Sequence, residues 1–283
     1  MTDLKMNAAL IEEAIAKTLI YLTVLLAVGS LLAIILHILK EGLGVISWEF
    51  LTSLPRNNGR EGGIFPSIAG TLYLIAVALA FAAPVGILAA INLAEYTRKG
   101  RLINALRFAT DALAGVPSII FGLLGFAFLV IFLGFRWSIL SGGLTLGIMI
   151  LPTIIKTSEE AIKSVPIRDR ECSLALGAGK WQTVYRIVLP AAAPGIATGV
   201  LLGTGRAVGE TAALLLTAGS SLSLPTSLLD PSRSLSIHLY TLALEGTSME
   251  NAYGTATVLI FIILAINVAA SFLMSKMTRG ASR

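Results

Sequence analysis

The chain has 283 residues, of which 55% are hydrophobic and 13% charged, and its mean hydropathy is +0.85. A soluble domain carries roughly a quarter charged residues, so most of this chain lies where charge is costly. The net charge of +5 does not indicate nucleic-acid binding, because the basic residues stand in short blocks between apolar runs and form no single clustered face. The single cysteine, Cys172, excludes an internal disulfide.

Six runs are long and apolar enough to cross a membrane, which takes about 20 residues. They lie at 18–39, 64–94, 112–135, 137–155, 187–205 and 251–275. The fifth run resumes at 211–229 after Arg206 and Glu210, and we count this interrupted pair as one helix. Pro84 and Pro117 each predict a kink.

Both ends of the chain are predicted to lie in the cytoplasm. Residues 1–17 carry charges of both signs ahead of an apolar run that is too long for a signal peptide, so we expect the first span to be retained. With this end inside, fifteen Lys and Arg residues fall in inner segments and five in outer segments. Because basic residues concentrate on the cytoplasmic side of membrane proteins, the far end is also predicted to be inside.

These features predict an all-α integral protein of the cell (inner, cytoplasmic) membrane, embedded in lipid. Its predicted parts are an N-terminal cytoplasmic segment, a first span with an outer loop, a five-helix core and a cytoplasmic tail, at 1–17, 18–63, 64–275 and 276–283. The core contains the longest inner segment, 157–188.

The inner segment 157–188 is predicted to form two short helices and a turn. One helix ends before Pro166, which cannot extend it, and the other runs over 169–176. The stretch Gly-Ala-Gly at 177–179 favours a turn, after which a helix resumes. By composition alone, the segment is also typical of an amphipathic connector between spans.

A regular spacing links seven residues of this segment, which are Glu171, Cys172, Ser173, Gly177, Ile187, Leu189 and Pro190. The pattern resembles the EAA loop of ABC-importer permeases, E-A-A-x3-G-x9-I-x-L-P, with Cys172 and Ser173 in place of the two alanines. Both replacements are small, which suits close approach of a partner backbone. The resemblance implies the type I ABC importer permease fold with six transmembrane helices. It also implies that the segment docks in a groove of a separate ATPase subunit.

The chain itself is not expected to bind ATP. A Walker A loop requires G-x-x-x-x-G-K-[S/T]. The one Gly-Lys pair, Gly179-Lys180, has Leu174 in place of the first glycine and Trp181 in place of the hydroxyl residue. We therefore predict a transport subunit and not an enzyme, with no cofactor in this chain and ATP-Mg bound by the partner ATPase.

Several further segments look like the permeases of phosphate-uptake (Pst) ABC importers, and more like the PstA type than the PstC type. They are Gly62–Ile64, Gly70–Leu72, Pro84–Gly86, Leu93–Tyr96, Gly115–Ser118 and Gly205–Thr211. The resemblance implies a permease that forms half of the translocation pathway for inorganic phosphate. The implied partners are a PstC-like second permease, a PstB-like ATPase dimer and an extracytoplasmic PstS-like phosphate-binding protein.

Arg206, Glu210 and Thr211 are the predicted substrate-pathway residues. Arg206 and Glu210 are four residues apart and would share one helix face. If the span begins near Leu189, Arg206 lies about 25 Å along it, inside the bilayer. An ionisable residue there is a functional candidate, and a guanidinium fork matches the oxygens of an oxyanion. The alternative is an ion pair that only neutralises both charges.

Other polar or small residues have structural interpretations. Gly195, Gly199 and Gly203 form a face that lets a second helix approach, either for ordinary packing or at a subunit interface. We also expect a second permease of similar topology. Its helices would pack on this small-residue face, and it would complete the pathway to which this chain contributes a single intramembrane arginine.

Asp111 is expected to cap a helix or to pair with Arg107 or Lys99. His37 and His238 have no second ligand at metal spacing, so no metal site is predicted.

Three alternative functions differ from phosphate import. The nearest keeps the class and changes the cargo to sulfate, molybdate or another small solute. A channel needs no docking loop, so the pattern from Glu171 to Pro190 argues against it. A membrane-embedded enzyme needs a nucleophile–base or metal constellation, and no predicted span holds His with Asp or Glu at workable spacing.

Overall fold

The computed structural model describes residues 2–97 and 100–281, which are mostly helical. The α-helices are α1 (Thr2–Gly42), α2 (Trp48–Thr52), α3 (Phe65–Ile91), α4 (Arg101–Ala114), α5 (Ser118–Gly125), α6 (Ile139–Ser164), α7 (Ile167–Ala175), α8 (Lys180–Thr183), α9 (Leu189–Val208), α10 (Ala212–Thr217), α11 (Leu235–Leu244) and α12 (Met249–Ala281). π-Helical segments follow α3 (Asn92–Tyr96) and α5 (Phe126–Phe132) and join α8 to α9 (Val184–Val188). Two short antiparallel strands, β1 (Pro55–Arg56) and β2 (Glu61–Gly62), flank the 3-10 turn Asn57–Gly59.

Five helical stretches of the described chain are long and apolar enough to cross a membrane, and α4 with α5 makes a sixth if the pair is one span. These two helices bend by 102° between Ala114 and Ser118, where Pro117 lacks the N–H that would continue α4. The predicted number of six spans is reached when α4 and α5 are counted as one, and the kink at Pro117 is confirmed, although the third span starts with a nearly perpendicular helix. Pro84 lies inside the continuous helix α3.

The core lies where α3, α6 and α9 pack side by side. Its fully buried side chains include Leu74, Leu146, Met149, Ile150 and Ile154, each at most 1% exposed. Close van der Waals packing is what holds such helices together in lipid, because lipid is as apolar as the side chains.

The small-residue face of α9 is used in this packing. A Cβ atom on Gly195 would lie 2.5 Å from Cβ of Ala161, and one on Gly199 would lie 2.8 Å from Cβ of Thr157, both on α6. Gly203 continues the same contact one turn further. The packing interpretation is confirmed, so this face gives no argument for a second permease.

α1 and α12 form a pair at the edge of the array. Gly42 packs so closely on α12 that a Cβ atom there would lie 2.4 Å from the Tyr253 carbonyl oxygen. Because the last turn of α1 meets the first turns of α12, the two helices run antiparallel. That both ends of the chain lie in the cytoplasm stays a prediction. The most apolar stretch of α1 buries no residue against the rest of the chain.

The fifth predicted span differs from the structure. α9 ends at Val208, the three residues 209–211 are non-helical, and α10 has only six residues before the chain turns at Gly219, whose φ is +86°. The prediction of one helix across 187–205 and 211–229 is therefore wrong. After the break, the Glu210 carboxylate accepts a hydrogen bond from the Ala213 N–H at 3.1 Å and satisfies one of the free donors in the first turn of α10.

The outer end of the array contains residues 43–64 and 218–248. The β-hairpin there was not predicted from the sequence; its turn places Asn57 and Asn58 at positive φ, a conformation that asparagine tolerates. The segment between α10 and α11 returns to the array at Ser232, whose N–H donates to the Ala218 carbonyl at 3.1 Å. These segments close the end of the array opposite α7.

Candidate functional site

The inner segment begins as the end of a span. α6 continues without a break to Ser164, so the short helix predicted before Pro166 is wrong as a separate element and is the last part of α6. Val165 is extended, with ψ of 130°, as the residue before a proline prefers. α7 (Ile167–Ala175) matches the second predicted helix to within two residues.

A Schellman motif ends α7 at the predicted turn. The Gly177 N–H donates to the Leu174 carbonyl at 3.0 Å, and the Ala178 N–H donates to the Ser173 carbonyl at 3.2 Å. Gly177 has φ of +84°, a left-handed conformation that favours glycine, and a Cβ atom there would meet no other atom of the described chain within 4 Å. The backbone conformation, not local crowding, therefore requires glycine at 177. Leu176 projects beside it and is 90% exposed.

Side-chain contacts connect α7 to α8, and α8 to the end of the α3 segment. The Ser173 and Thr183 hydroxyl oxygens are 2.9 Å apart. Lys180 Nζ lies 4.7 Å from the ring centroid of Tyr96, at the end of the α3 segment, where a cation–π contact is favourable.

The predicted docking residues fall into two groups. Glu171, Cys172 and Gly177 are exposed on α7 and its turn, and Ser173 is half-buried. The other three lie at the junction with α9, where Ile187 and Pro190 are exposed and Leu189 is half-buried.

Arg170 is a site residue that the sequence reasoning did not single out. Its guanidinium donates from Nε to Glu95 Oε1 at 2.9 Å, from Nη1 to the Val165 carbonyl at 2.5 Å, and from Nη2 to the Ile162 carbonyl at 2.7 Å. The side chains of Arg170 and Glu95 are 18% and 10% exposed. Glu95 lies in the segment Leu93–Tyr96, which is one of those that carry the family resemblance. That resemblance is the signal by which the sequence could have pointed to Glu95.

A charged cavity of ≈ 310 Å³ lies between α4 and α6 at the same end. Oε1 of Glu159 accepts from Arg107 Nη2 at 2.6 Å and from Lys163 Nζ at 2.5 Å. The Glu159 side chain is only 9% exposed, whereas its two partners are nearly half exposed. One buried carboxylate therefore connects the bent helix α4 to α6.

Asp111 also connects α4 to α6. Its Oδ1 lies 2.5 Å from Lys156 Nζ, so the predicted pairing of Asp111 with Arg107 is wrong. Lys99, the other predicted partner, lies outside the described residues. Arg107 is closer to Asp111 in the sequence, but Lys156 on α6 faces Asp111 across the cavity and forms the contact instead.

Arg206 lies in the last turn of α9 and is exposed in the single chain. Gly203, one turn earlier, packs against Ile150 and Ile154 in the middle of α6, so Arg206 lies away from both ends of the helix array. That this level is inside the bilayer stays a prediction. No carboxylate of the described chain forms an ion pair with it. The negative end of the α9 dipole is the favourable contact that the chain itself provides.

Glu210 does not share a helix face with Arg206, and that prediction is wrong because α9 ends between them. One Glu210 oxygen caps α10, and the Glu210 carbonyl accepts from the Ser236 hydroxyl at 2.6 Å. Thr211, together with Gly209 and Ser236, lines an open cleft of ≈ 480 Å³. Arg206 thus lies at the end of α9, whereas Glu210 and Thr211 lie in the non-helical residues before α10.

The two histidines lie apart from these residues. His238 is 1% exposed, and its Nδ1 has no hydrogen-bond partner among the described residues. Burial, and then the charge of Arg233, lowers the pKa of His238 to about 4. His37 on α1 lies beside Tyr253, with 3.5 Å between Nε2 and the phenol oxygen. Within the described residues, no group of three His, Cys, Asp or Glu side chains is placed to hold a metal ion.

Sequence comparison relates the chain to transport permeases. A family model described as "binding-protein-dependent transport system inner membrane component" matches residues 82–283. The phosphate transport system permease protein PstA 1 of Mycobacterium tuberculosis (strain ATCC 25618 / H37Rv) is 39% identical over 77% of this chain and 71% of its own length. PstA of Yersinia pestis is 34% identical over 94% and 90% of the two chains. The probable ABC transporter permease protein YqgI of Bacillus subtilis is 29% identical over 93% and 95%.

Solved structures share the fold. A chain from the structure of a bacterial alginate ABC transporter superposes with a TM-score of 0.64 and 18% identity, over 94% of this chain and 95% of that one. A chain of the MetNI methionine ABC transporter, in an inward-facing conformation, gives a TM-score of 0.61 and 18% identity, over 76% and 94%. At this identity the likeness supports the architecture of the array and not the cargo.

Proposed function

This chain belongs to the family of binding-protein-dependent transport system inner membrane components, and on that premise we propose that it is a permease subunit of an ATP-driven importer of inorganic phosphate. It is a multi-pass membrane protein with the type I ABC importer permease fold, and it is a transport subunit, not an enzyme. Permeases of this kind work with an ATPase and a substrate-binding protein.

The proposed partners are specific. A PstC-like permease would complete the translocation pathway, a PstB-like ATPase dimer would bind ATP-Mg, and a PstS-like protein would deliver phosphate. The identity to proteins named as phosphate permeases, at 34% to 39%, supports this cargo over sulfate or molybdate.

Arg206 is the observation that carries the pathway proposal. A cation deep in a membrane-spanning array is costly unless it meets an acidic group, water or an anion. The ion-pair alternative weakens here, because Glu210 caps α10 and no described carboxylate neutralises Arg206. An exposed guanidinium at that depth suits an oxyanion that passes between this chain and a second permease.

Glu210 has a proposed role in choosing the cargo. Phosphate near neutral pH keeps at least one proton, whereas sulfate keeps none. The Glu210 oxygen that does not cap α10 accepts no hydrogen bond from the described residues, so it is available for a phosphate O–H, and it would repel sulfate. Thr211 adds a hydroxyl at the cleft beside it.

The inner segment is the proposed docking element for the ATPase. α7 presents Glu171 and Cys172 to solvent, and the Schellman turn holds Leu176 outward, where a partner groove would cover it. A single exposed leucine is common on protein surfaces, so the support for docking is the place of Leu176 at the turn of the predicted docking motif.

Transport by the assembled complex tests the pathway proposal. Arg206→Ala should abolish uptake of labelled phosphate into proteoliposomes that contain both permeases, the ATPase dimer and the loaded binding protein. Arg206→Lys should also be poor, because the fork is lost. Lys40→Ala, an exposed cation at the end of α1, is the matched control and should transport normally. Normal uptake by Arg206→Ala would refute the role of Arg206.

Glu210→Gln tests selectivity at the membrane step. Glutamine retains an oxygen for the Ala213 N–H, so α10 should keep its cap while the charge is lost. We expect reduced discrimination of phosphate from sulfate in a complex that transports without the binding protein. Unchanged selectivity would leave Glu210 with the capping role alone.

A further inference from the structure

α7 is attached to the helix array in an unusual way. None of its residues is buried, and the helical segments that it packs against are α8 and Val184–Val188. At its other end the extended residue Val165 and Pro166 form a non-helical joint with α6. A push on α7 therefore has three routes to α3 and α6. They are the joint at 165–166, the apolar packing of Val184–Val188, and individual polar contacts made by side chains.

The Arg170 side chain is the polar contact that meets both helices. Its three guanidinium nitrogens reach three acceptors: the Glu95 carboxylate at the end of the α3 segment, and the carbonyls of Ile162 and Val165 at the end of α6. Those carbonyls carry the partial negative charge of a helix C-terminus, which favours a cation.

The two helix ends that Arg170 joins already form one packed unit. Ala90 and Ile91 of α3 share a buried apolar cluster with Ile162 and Val165 near the end of α6. The cluster also contains Val184 and Val188, of the segment before α9, and Ala192 and Ile196 of α9. A force delivered to this unit would act on three core helices together.

We propose that Arg170 is a positioning residue that transmits movement of α7 to α3 and α6, with Glu95 as its anchor. The inference rests on the proposed docking of the ATPase at 157–188. Lysine cannot replace arginine in this role, because a single ammonium group cannot reach three separated acceptors in the fork geometry. Loss of Arg170 should separate ATP hydrolysis from transport, whereas loss of a docking residue should remove the ATPase.

The test compares Arg170→Lys and the isosteric Glu95→Gln in the reconstituted complex, with Arg168→Gln as control. Arg168 is exposed on the same helix. Three quantities are measured: the ATPase that copurifies, basal ATP hydrolysis, and phosphate taken up per ATP hydrolysed. For Arg170→Lys we expect the first two to be unchanged and uptake per ATP to fall about tenfold, the effect of one lost charge-assisted hydrogen bond. Glu95→Gln should show a smaller fall, since both carbonyl contacts persist.

A charge-reversed pair, Glu95→Arg with Arg170→Glu, separates this role from a plain ion pair. The reversed pair would place a carboxylate against two carbonyl oxygens, so it should not restore coupling. Unchanged uptake per ATP in Arg170→Lys, restored coupling in the reversed pair, or loss of the copurifying ATPase in both single variants would overturn the proposal. If the parent complex imports a different oxyanion, the phosphate assignment fails, and uptake of that oxyanion per ATP still tests Arg170.

Discussion

The inner and outer ends of the helix array are stabilised by different interactions. At the inner end, charged side chains connect separate elements: Glu95 pairs with Arg170, and Glu159 pairs with Arg107. At the outer end the described residues form no ion pair between elements, and the contacts are hydrogen bonds to backbone groups, such as that from Arg60 Nε to the Thr247 carbonyl at 3.0 Å. The Thr71 hydroxyl oxygen accepts from the Leu235 N–H at 2.9 Å.

The difference has a physical consequence. The cations of the α4–α6 cluster are nearly half exposed, so water and salt can replace their contacts as the elements move. The outer contacts involve short side chains and the backbone itself, so their geometry is fixed by the backbone. At Gly62, for example, a Cβ atom would lie 2.3 Å from the Leu54 carbonyl oxygen. We infer that the inner end is adjustable and the outer end is rigid.

The largest effect is expected from a substitution that breaks the rigid end. Gly62 has φ of +82°, so Gly62→Val combines a strained backbone with a clash against Leu54 and should lower stability by about 3 kcal/mol. Thermal unfolding of the purified protein in detergent measures this. Gly44→Ala is the control, since a Cβ atom at Gly44 meets nothing within 4 Å. Equal midpoints for the two variants would contradict a rigid outer end.

An intermediate effect is expected at the adjustable end. Glu159→Ala leaves Arg107 and Lys163 without their shared acceptor and should cost about 2 kcal/mol at low salt. The cost should shrink as sodium chloride is added, because the remaining cations are screened. Glu160→Ala, exposed one residue away, should be nearly neutral. A loss that salt does not change would mean that Glu159 acts by packing instead of by charge.

The smallest effect concerns the buried histidine of the outer end. Its pKa of about 4 lies below the ordinary 6.5, so as pH falls the unfolded chain takes up a proton before the folded chain does. Stability is therefore lost across the window from pH 6.5 to pH 4. Between about pH 7.5 and about pH 5.5 the loss should be about 1 kcal/mol. His238→Asn should remove this part of the pH dependence, and His37→Asn, on an exposed part of α1, should retain it. Identical pH profiles for the two variants would exclude His238 as its source.

The second helix and the turn of the inner segment were predicted well from the sequence because their signals are local, whereas the first predicted helix is the end of α6. Pro166 ends a helix wherever it occurs, and a glycine such as Gly177 is the residue that a left-handed helix end prefers. Arg170 was missed because its anchor, Glu95, lies 75 residues away in the chain. The Arg206–Glu210 face was mispredicted because a four-residue spacing has meaning only if the helix continues, and here it stops at Val208.

The sequence by itself determined how many membrane spans the chain has, where its inner segment turns and which family it belongs to. Apolar length, proline and glycine act through the chain's immediate neighbours, so these features need no knowledge of distant contacts. Only the tertiary structure decided that Asp111 meets Lys156, that the glycines of α9 face α6, and that Glu210 begins a new helix. From the sequence, each charged residue or small-residue face has several possible partners. The packing of α4, α6 and α9 determines which of these partners lies within contact distance.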